Sequence, residues 1–192
     1  MKNGFFALVF RQQYIRRWGL MRNVKEENLA EHSAQTAMIA HALALIGNRR
    51  LGKSYDANAV AVCALYHDAT EVYTGDLPTP VKYFDPEIRE SYRKIEKKAV
   101  ETLISGLPDD LSGEYAKLLD TADAQIHKLV KAADKLCAYL KCVEELKCGN
   151  ADFSDAKETL YESMTGMGCE ELDIFLKEFV PPFGATVDKL HL

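Results

Sequence analysis

Apolar residues recur along most of this chain at intervals of three and four, the period of an amphipathic helix, while strictly alternating strand-like runs are scarce. The spacing predicts a helix from about Leu29 to Ile46, with Ala34, Ala37, Met38, His41 and Leu45 as its apolar stripe and Gly47-Asn48 as its stop. Asp56 is a suitable N-cap for a second helix from Ala57 to Tyr73, whose stripe is Val60, Cys63, Ala64, His67 and Glu71. Between Leu129 and Leu146 apolar residues occupy most sides of the cylinder, which predicts a central, buried helix. Asp85-Pro86-Glu87 opens a further helix that ends near Gly106, Leu111 to Leu119 forms a short one, and Leu172, Phe175, Leu176 and Phe179 mark a late one closed by Pro181 and Pro182. Gly75 to Pro80 reads as a loop. The expected fold is therefore all-α. No repeat, low-complexity tract or linker divides it, so residues 1–192 are expected to form a single domain.

Four polar residues are candidate ligands for a cation, and two of them sit where this pattern calls for apolar ones. His67 occupies an apolar position, Asp68 stands beside it, and Asp134 lies in the middle of the buried helix. His32, in Glu31-His32-Ser33, projects from nearly the opposite side of its helix to His41, so the two histidines cannot serve one ion. His41 is read as a packing histidine and His32 as the ligand candidate. Buried imidazoles and carboxylates are costly without partners, and a cation held by His32, His67, Asp68 and Asp134 satisfies them together. Other readings stay open on this evidence alone: a hydrogen-bonded core histidine at 67 with Asp68 and Glu71 in solvent, and an ion pair from Asp134 to Lys131, Lys135 or a distant arginine. A His-Asp dipeptide by itself is a weak motif.

Composition suits a compact protein, with 47% hydrophobic and 28% charged residues in 192. Charge is uneven. The first 25 residues carry six basic side chains and no acid, although the whole chain has a formal charge of −5. That balance disfavours a nucleic-acid polymer as partner, while Arg16, Arg17, Arg22 and Lys25 together suit a small phosphate ester, or else form an ordinary solvated face. An apolar run near Met1 is interrupted by Arg11, Gln12 and Gln13, so no secretion signal is expected, and no stretch reaches membrane-spanning length. Five cysteines without CxxC pairs read as reduced, cytoplasmic thiols.

The order His32, His67-Asp68, Asp134, with Glu71 in His67-Asp68-Ala69-Thr70-Glu71, resembles the HD-domain metal-dependent phosphohydrolases. Arg17-Trp18, Leu20-Met21-Arg22-Asn23-Val24 and Gly75-Asp76-Leu77-Pro78-Thr79-Pro80 are similar to one branch of them, the bacterial 5'-deoxynucleotidases of the YfbR type. The resemblance runs from Phe5 to about Phe183; Gly19 departs from it, where Pro is expected after the Trp. It implies a helical bundle with the metal site between central helices, and hydrolysis of deoxyribonucleoside 5'-monophosphates to deoxynucleoside and phosphate. Glu71 would orient or deprotonate the attacking water, with Asp68 sharing the task, and Arg17 would grip the phosphate. Trp18, Asp76, Leu77, Pro78 and Thr79, with His32 and Glu71, would contact substrate and exclude a ribose 2'-hydroxyl. A homodimer is implied as well.

Only His127 lies between the His-Asp pair and Asp134, which favours one metal over two. Mixed imidazole and carboxylate ligands suit Co, Mn, Fe, Ni or Zn. The competing functions are hydrolysis of another nucleotide phosphoester, such as a triphosphate or cyclic nucleotide, and a noncatalytic nucleotide-sensing module.

Overall fold

A computed structural model describes residues 3–82 and 84–190, and within them ten α-helices and no strand. Their order is α1 (Phe5–Val9), α2 (Leu29–Arg50), α3 (Ala57–Tyr66), α4 (Glu71–Thr74), α5 (Thr79–Lys82), α6 (Pro86–Ile104), α7 (Asp109–Leu119), α8 (Ala124–Lys147), α9 (Ser154–Thr165) and α10 (Glu170–Glu178).

The start of α2 is fixed by a reciprocal cap. Asn28 accepts from the Glu31 N–H at 3.0 Å, and the Glu31 carboxylate accepts from the Asn28 N–H at 3.3 Å. The helix buries His32, Ser33, Thr36, Ile39, Ala40, Leu43, Ala44 and Gly47. The stripe expected to be inside is not: Met38 is 71% and Leu45 40% exposed, and His41 is half-buried. Small side chains decide this. Ser33, Ala40, Ala44 and Gly47 share the buried side, which lets neighbouring helices approach closely and leaves the bulky Met38 outside.

Gly47 does not stop the helix. The Tyr55 ring packs over it so closely that a Cβ there would lie 2.5 Å from a ring carbon, and the helix continues to Arg50 before Gly52 turns at φ +66°.

The expected helix from Ala57 to Tyr73 is broken. α3 ends at Tyr66, His67 caps it, and a turn over residues 68–70 leads into the single turn of α4. Similarly, the expected loop over 75–80 is shorter, because α5 begins at Thr79. The Asp85 cap, accepting from the Ile88 N–H at 2.8 Å, starts α6 as the sequence predicts. α8 begins at Ala124, a turn earlier than expected, because the Asp123 side chain accepts from the Gln125 and Ile126 N–H groups. α9 is absent from the sequence reading; it buries Met164 alone and shows little periodicity.

The main core joins α2, α3 and α8 through Leu43, Val60, Ala64, Leu129, Ala133 and Leu136, with Leu172 and Phe175 from α10. A smaller cluster gathers Phe5, Ala69, Leu103 and Leu107, with Tyr66 and Tyr115 against it. Ala64 belongs to the first cluster and Ala69 to the second, so the turn carrying His67 and Asp68 is gripped on both sides. No helix among the described residues is long and apolar enough to cross a membrane.

Candidate metal and phosphate site

The four residues singled out from the sequence come together. His32 Nε2 lies 3.0 Å from Asp134 Oδ1 and 3.7 Å from Asp68 Oδ2. His67 Nε2 lies 3.0 Å from Asp68 Oδ2 and 3.9 Å from Asp134 Oδ1. One donor atom each from His32, His67 and Asp68 fall within 4.8 Å of one another, the spread of a single-ion site. His32 is wholly buried, yet the Asp134 side chain keeps 36% of its exposure, so the cluster is open on that side. His41 and the exposed His127 do not contribute to the gathered donors.

The chemistry of the donors fits a cation. His67 Nδ1 lies 2.7 Å from the Ala64 carbonyl, a contact that orients the ring and turns Nε2 toward the acids. Nε2 is buried and has no aligned hydrogen bond despite its closeness to Asp68, as has His32 Nδ1. Burial opposes protonation of His67, but Asp68 and Asp134 outweigh it and raise its pKa well above the usual value. Burial would raise both carboxyls; instead His32 and His67 hold Asp134 well below the ordinary range, and His67 holds Asp68 below it. A site with that much negative potential binds a proton or a metal ion.

Glu71 is placed by the broken helix. Its Oε2 is buried and unpartnered, and burial, followed by the charges of Asp68 and Asp76, pushes its carboxyl up to about 9. Arg17 faces the same acids, with its Nη1 3.6 Å from Asp68 Oδ2 and 3.8 Å from Asp76 Oδ1. Leu77 and Pro78 follow Asp76 in the short loop before α5 and are half-buried. Thr79 opens α5, but its side chain lies outside the described ones.

Of the four N-terminal bases, only Arg17 is directed at this cluster. Arg16 pairs with Glu26 at 2.5 Å, Arg22 with Asp152 at 3.8 Å and Lys25 with Glu144 at 3.9 Å, all on the surface.

Arg17 and Trp18 belong to a hairpin-like loop that the sequence does not announce. Its ends are zipped by the Arg16–Asn28 bridge and by bonds from the Arg17 N–H to the Glu27 carbonyl (3.0 Å) and from the Leu29 N–H to the Ile15 carbonyl (2.9 Å). Its tip is tied to α8. Glu145 accepts from the Val24 N–H at 2.8 Å, the Lys25 N–H at 3.1 Å, the Asn150 amide and the Lys141 ammonium, which also donates to the Lys25 carbonyl. Burial would raise Glu145, but Lys141 and these N–H donors pull it down to about 2.

Glu27, Lys141 and Glu145 were missed from the sequence. Lys141 and Glu145 carried a readable signal, two charges four residues apart on a helix apolar almost all round. Glu27, in Lys25-Glu26-Glu27-Asn28, looks like any solvated acidic pair.

A family model described as 5'-deoxynucleotidase YfbR-like matches residues 4–183. The chain is 47% identical over 190 residues to a 5'-deoxynucleotidase from Photorhabdus laumondii, covering 98% of this chain and 96% of the relative. It is 48% identical over 188 residues to one from Citrobacter koseri, covering 97% and 94%. Among solved structures, an HD-domain phosphohydrolase from Listeria innocua superposes with TM-score 0.81 at 25% identity, over 95% of this chain and 89% of the other. The cyanophage S-2L HD phosphohydrolase, bound to dA and one catalytic Zn2+ ion, gives TM-score 0.69 at 22% identity over 91% and 95%, a likeness that bears on the fold.

Proposed function

The chain belongs to the YfbR-like 5'-deoxynucleotidase family, and we propose that it hydrolyses deoxyribonucleoside 5'-monophosphates to deoxynucleoside and phosphate at this cluster. The observation that carries the reading is the gathering of His32, His67 and Asp68 within 4.8 Å, with Asp134 3.0 Å from His32 and the Arg17 guanidinium 3.6 Å from Asp68. These four would hold one divalent ion of the Co, Mn, Fe, Ni or Zn type. When bound, such an ion supplies a Lewis acid for a phosphoryl oxygen and a water of lowered pKa. The Zn2+ and dA of the cyanophage enzyme support the same ligand classes here.

Arg17 presents a fixed cation to the phosphate and stabilises charge on its equatorial oxygens. Glu71 takes the proton from the attacking water. Burial and the charges of Asp68 and Asp76 raise its carboxyl to about 9, and a cation held beside Asp68 would lower it toward the range in which the carboxylate can accept that proton. Asp76, Leu77, Pro78 and Thr79 would contact the sugar, and the half-buried Trp18 ring, tilted at 56° against Phe153 with centroids 5.2 Å apart, would refuse a 2'-hydroxyl. With Arg16, Arg22 and Lys25 paired to acids on the surface, the one guanidinium left at the cluster suits a monophosphate better than a triphosphate.

The protein works in the cytoplasm, a reducing compartment that suits its five free cysteines, four of them buried. A second copy is its partner; the outward stripe of Met38 and Leu45, with Val62 and Leu65 exposed on α3, supports a homodimer. Light scattering checks that state.

The decisive assay strips the protein of metal, adds Mn or Co, and follows phosphate released from deoxy- and ribonucleoside 5'-monophosphates. Metal-dependent release from the deoxy series is expected. Release from neither series removes the proposal.

A further inference from the structure

Glu27 is a buried acid next to the site that contacts none of the metal-ligand candidates. It is 7% exposed, and a single oxygen, Oε2, accepts both from Arg17 Nε at 3.2 Å and from the Trp18 indole N–H at 3.2 Å. Its carbonyl accepts from the Arg17 N–H as well, so backbone and side chain hold the same residue. We propose that Glu27 is a positioning residue that locks Arg17 and Trp18 into one unit, so that the phosphate grip and the rejection of ribonucleotides are set by the same carboxylate. The proposal rests on the deoxynucleotidase reading and deepens it.

Three features give the clamp its force. Trp18 adopts φ +59°, a left-handed backbone that a bulky side chain rarely takes, and something must hold it there. The indole N–H bond to Glu27 and the Phe153 ring fix the plane of the indole from two directions. Arg17 is pulled by acids at both ends, by Glu27 through Nε and by Asp68 and Asp76 through Nη1. Without the Glu27 charge, the guanidinium closes on Asp68, away from the phosphate and onto a metal ligand. Glu27 also sits one residue before the Asn28 cap, so the clamp shares its footing with the helix that carries His32.

Trp18 is the single tryptophan of the chain, so its emission reports this clamp directly. In Glu27→Gln, the emission maximum shifts and the anisotropy falls relative to wild type. The kcat/KM for a deoxyribonucleoside 5'-monophosphate drops by about 10- to 100-fold, and the preference over the ribonucleotide narrows. Trp18→Phe keeps a ring but removes the N–H donor, and it narrows the same preference. The double variant loses little more than the worse single one, as expected for two parts of one device.

Unchanged emission and selectivity in Glu27→Gln would overturn the clamp, as would strictly additive losses in the double variant. Should Glu27→Gln fail to fold, full ribonucleotide discrimination in Trp18→Phe overturns it alone. A wild-type protein that releases no phosphate disposes of the activity instead, and the emission comparison still decides whether Glu27 holds Trp18.

Discussion

His32 and Asp134 ride on α2 and α8, long helices packed against each other through Leu43, Ala44, Leu129, Ala133 and Leu136, whereas Arg17 and Trp18 ride on a loop held by polar contacts. The loop depends on the Glu27 carboxylate at its base and the Glu145 and Lys141 charges at its tip. Packing of apolar side chains is indifferent to pH; a buried ion pair is not. The His32 and Asp134 side of the cluster is thus built on apolar packing and the Arg17 side on charge pairs, of which that of Glu145 is sensitive to pH. The two regions answer differently to substitution.

The largest effect lies on the helix side. Asp68→Ala is expected to lower turnover by about a thousandfold and to lose bound metal, measured by elemental analysis alongside phosphate release. Full activity there would remove Asp68 from the site. On the loop side, Arg17→Ala should reduce kcat by about a hundredfold while metal content stays at the wild-type level. If metal is lost too, the two regions are not separable.

Glu145→Gln probes the staple of the loop. The folded carboxyl sits at about 2 against an ordinary 4.5, so it contributes about 3 kcal/mol of stability at neutral pH. The sign is that of a depressed acid: the contribution is complete above pH 4.5 and disappears as pH falls toward 2. Chemical denaturation of wild type and variant should therefore diverge at pH 7 and converge near pH 2. A constant gap across that range would show that the charge of Glu145 is not the source.

Metal entry should release about one proton per ion or more at pH 7. His67 is raised well above its ordinary value and Glu71 to about 9, so the metal-free site holds protons that a cation displaces. Calorimetry in two buffers of different protonation enthalpy measures the number, and metal affinity should rise with pH. Smallest of all, Asn28→Ala removes half of the reciprocal cap and should cost about 1 kcal/mol, read as a modest fall in melting temperature.

Much of the cluster was legible because some of its residues violate a local pattern. Asp134 in an apolar helix and His67 on an apolar stripe are conspicuous without any knowledge of where they meet. The helix boundaries at Asp56 and Asp85 were legible too, since a capping side chain acts on N–H groups two or three residues away. The inner face of α2 was not. Met38 and Leu45 are the stronger apolar signal, yet the side that packs is the one lined with Ser33, Ala40, Ala44 and Gly47. Nor was the break after Tyr66, where the chain leaves the helix although no proline or glycine interrupts it; the turn is held by Ala69 packing into the second cluster.

What the sequence determined alone was the all-helical class and a short set of misplaced polar residues, His67, Glu71 and Asp134, because periodicity and misplaced charge are local properties of the chain. Only the tertiary structure decided which of four N-terminal bases faces the acidic cluster, and that Glu27 and Glu145 bond to the loop that carries it. Those roles depend on contacts between segments as far apart as Val24 and Glu145, and a charge that looks solvated in a string of charges takes its meaning from the surface that closes over it.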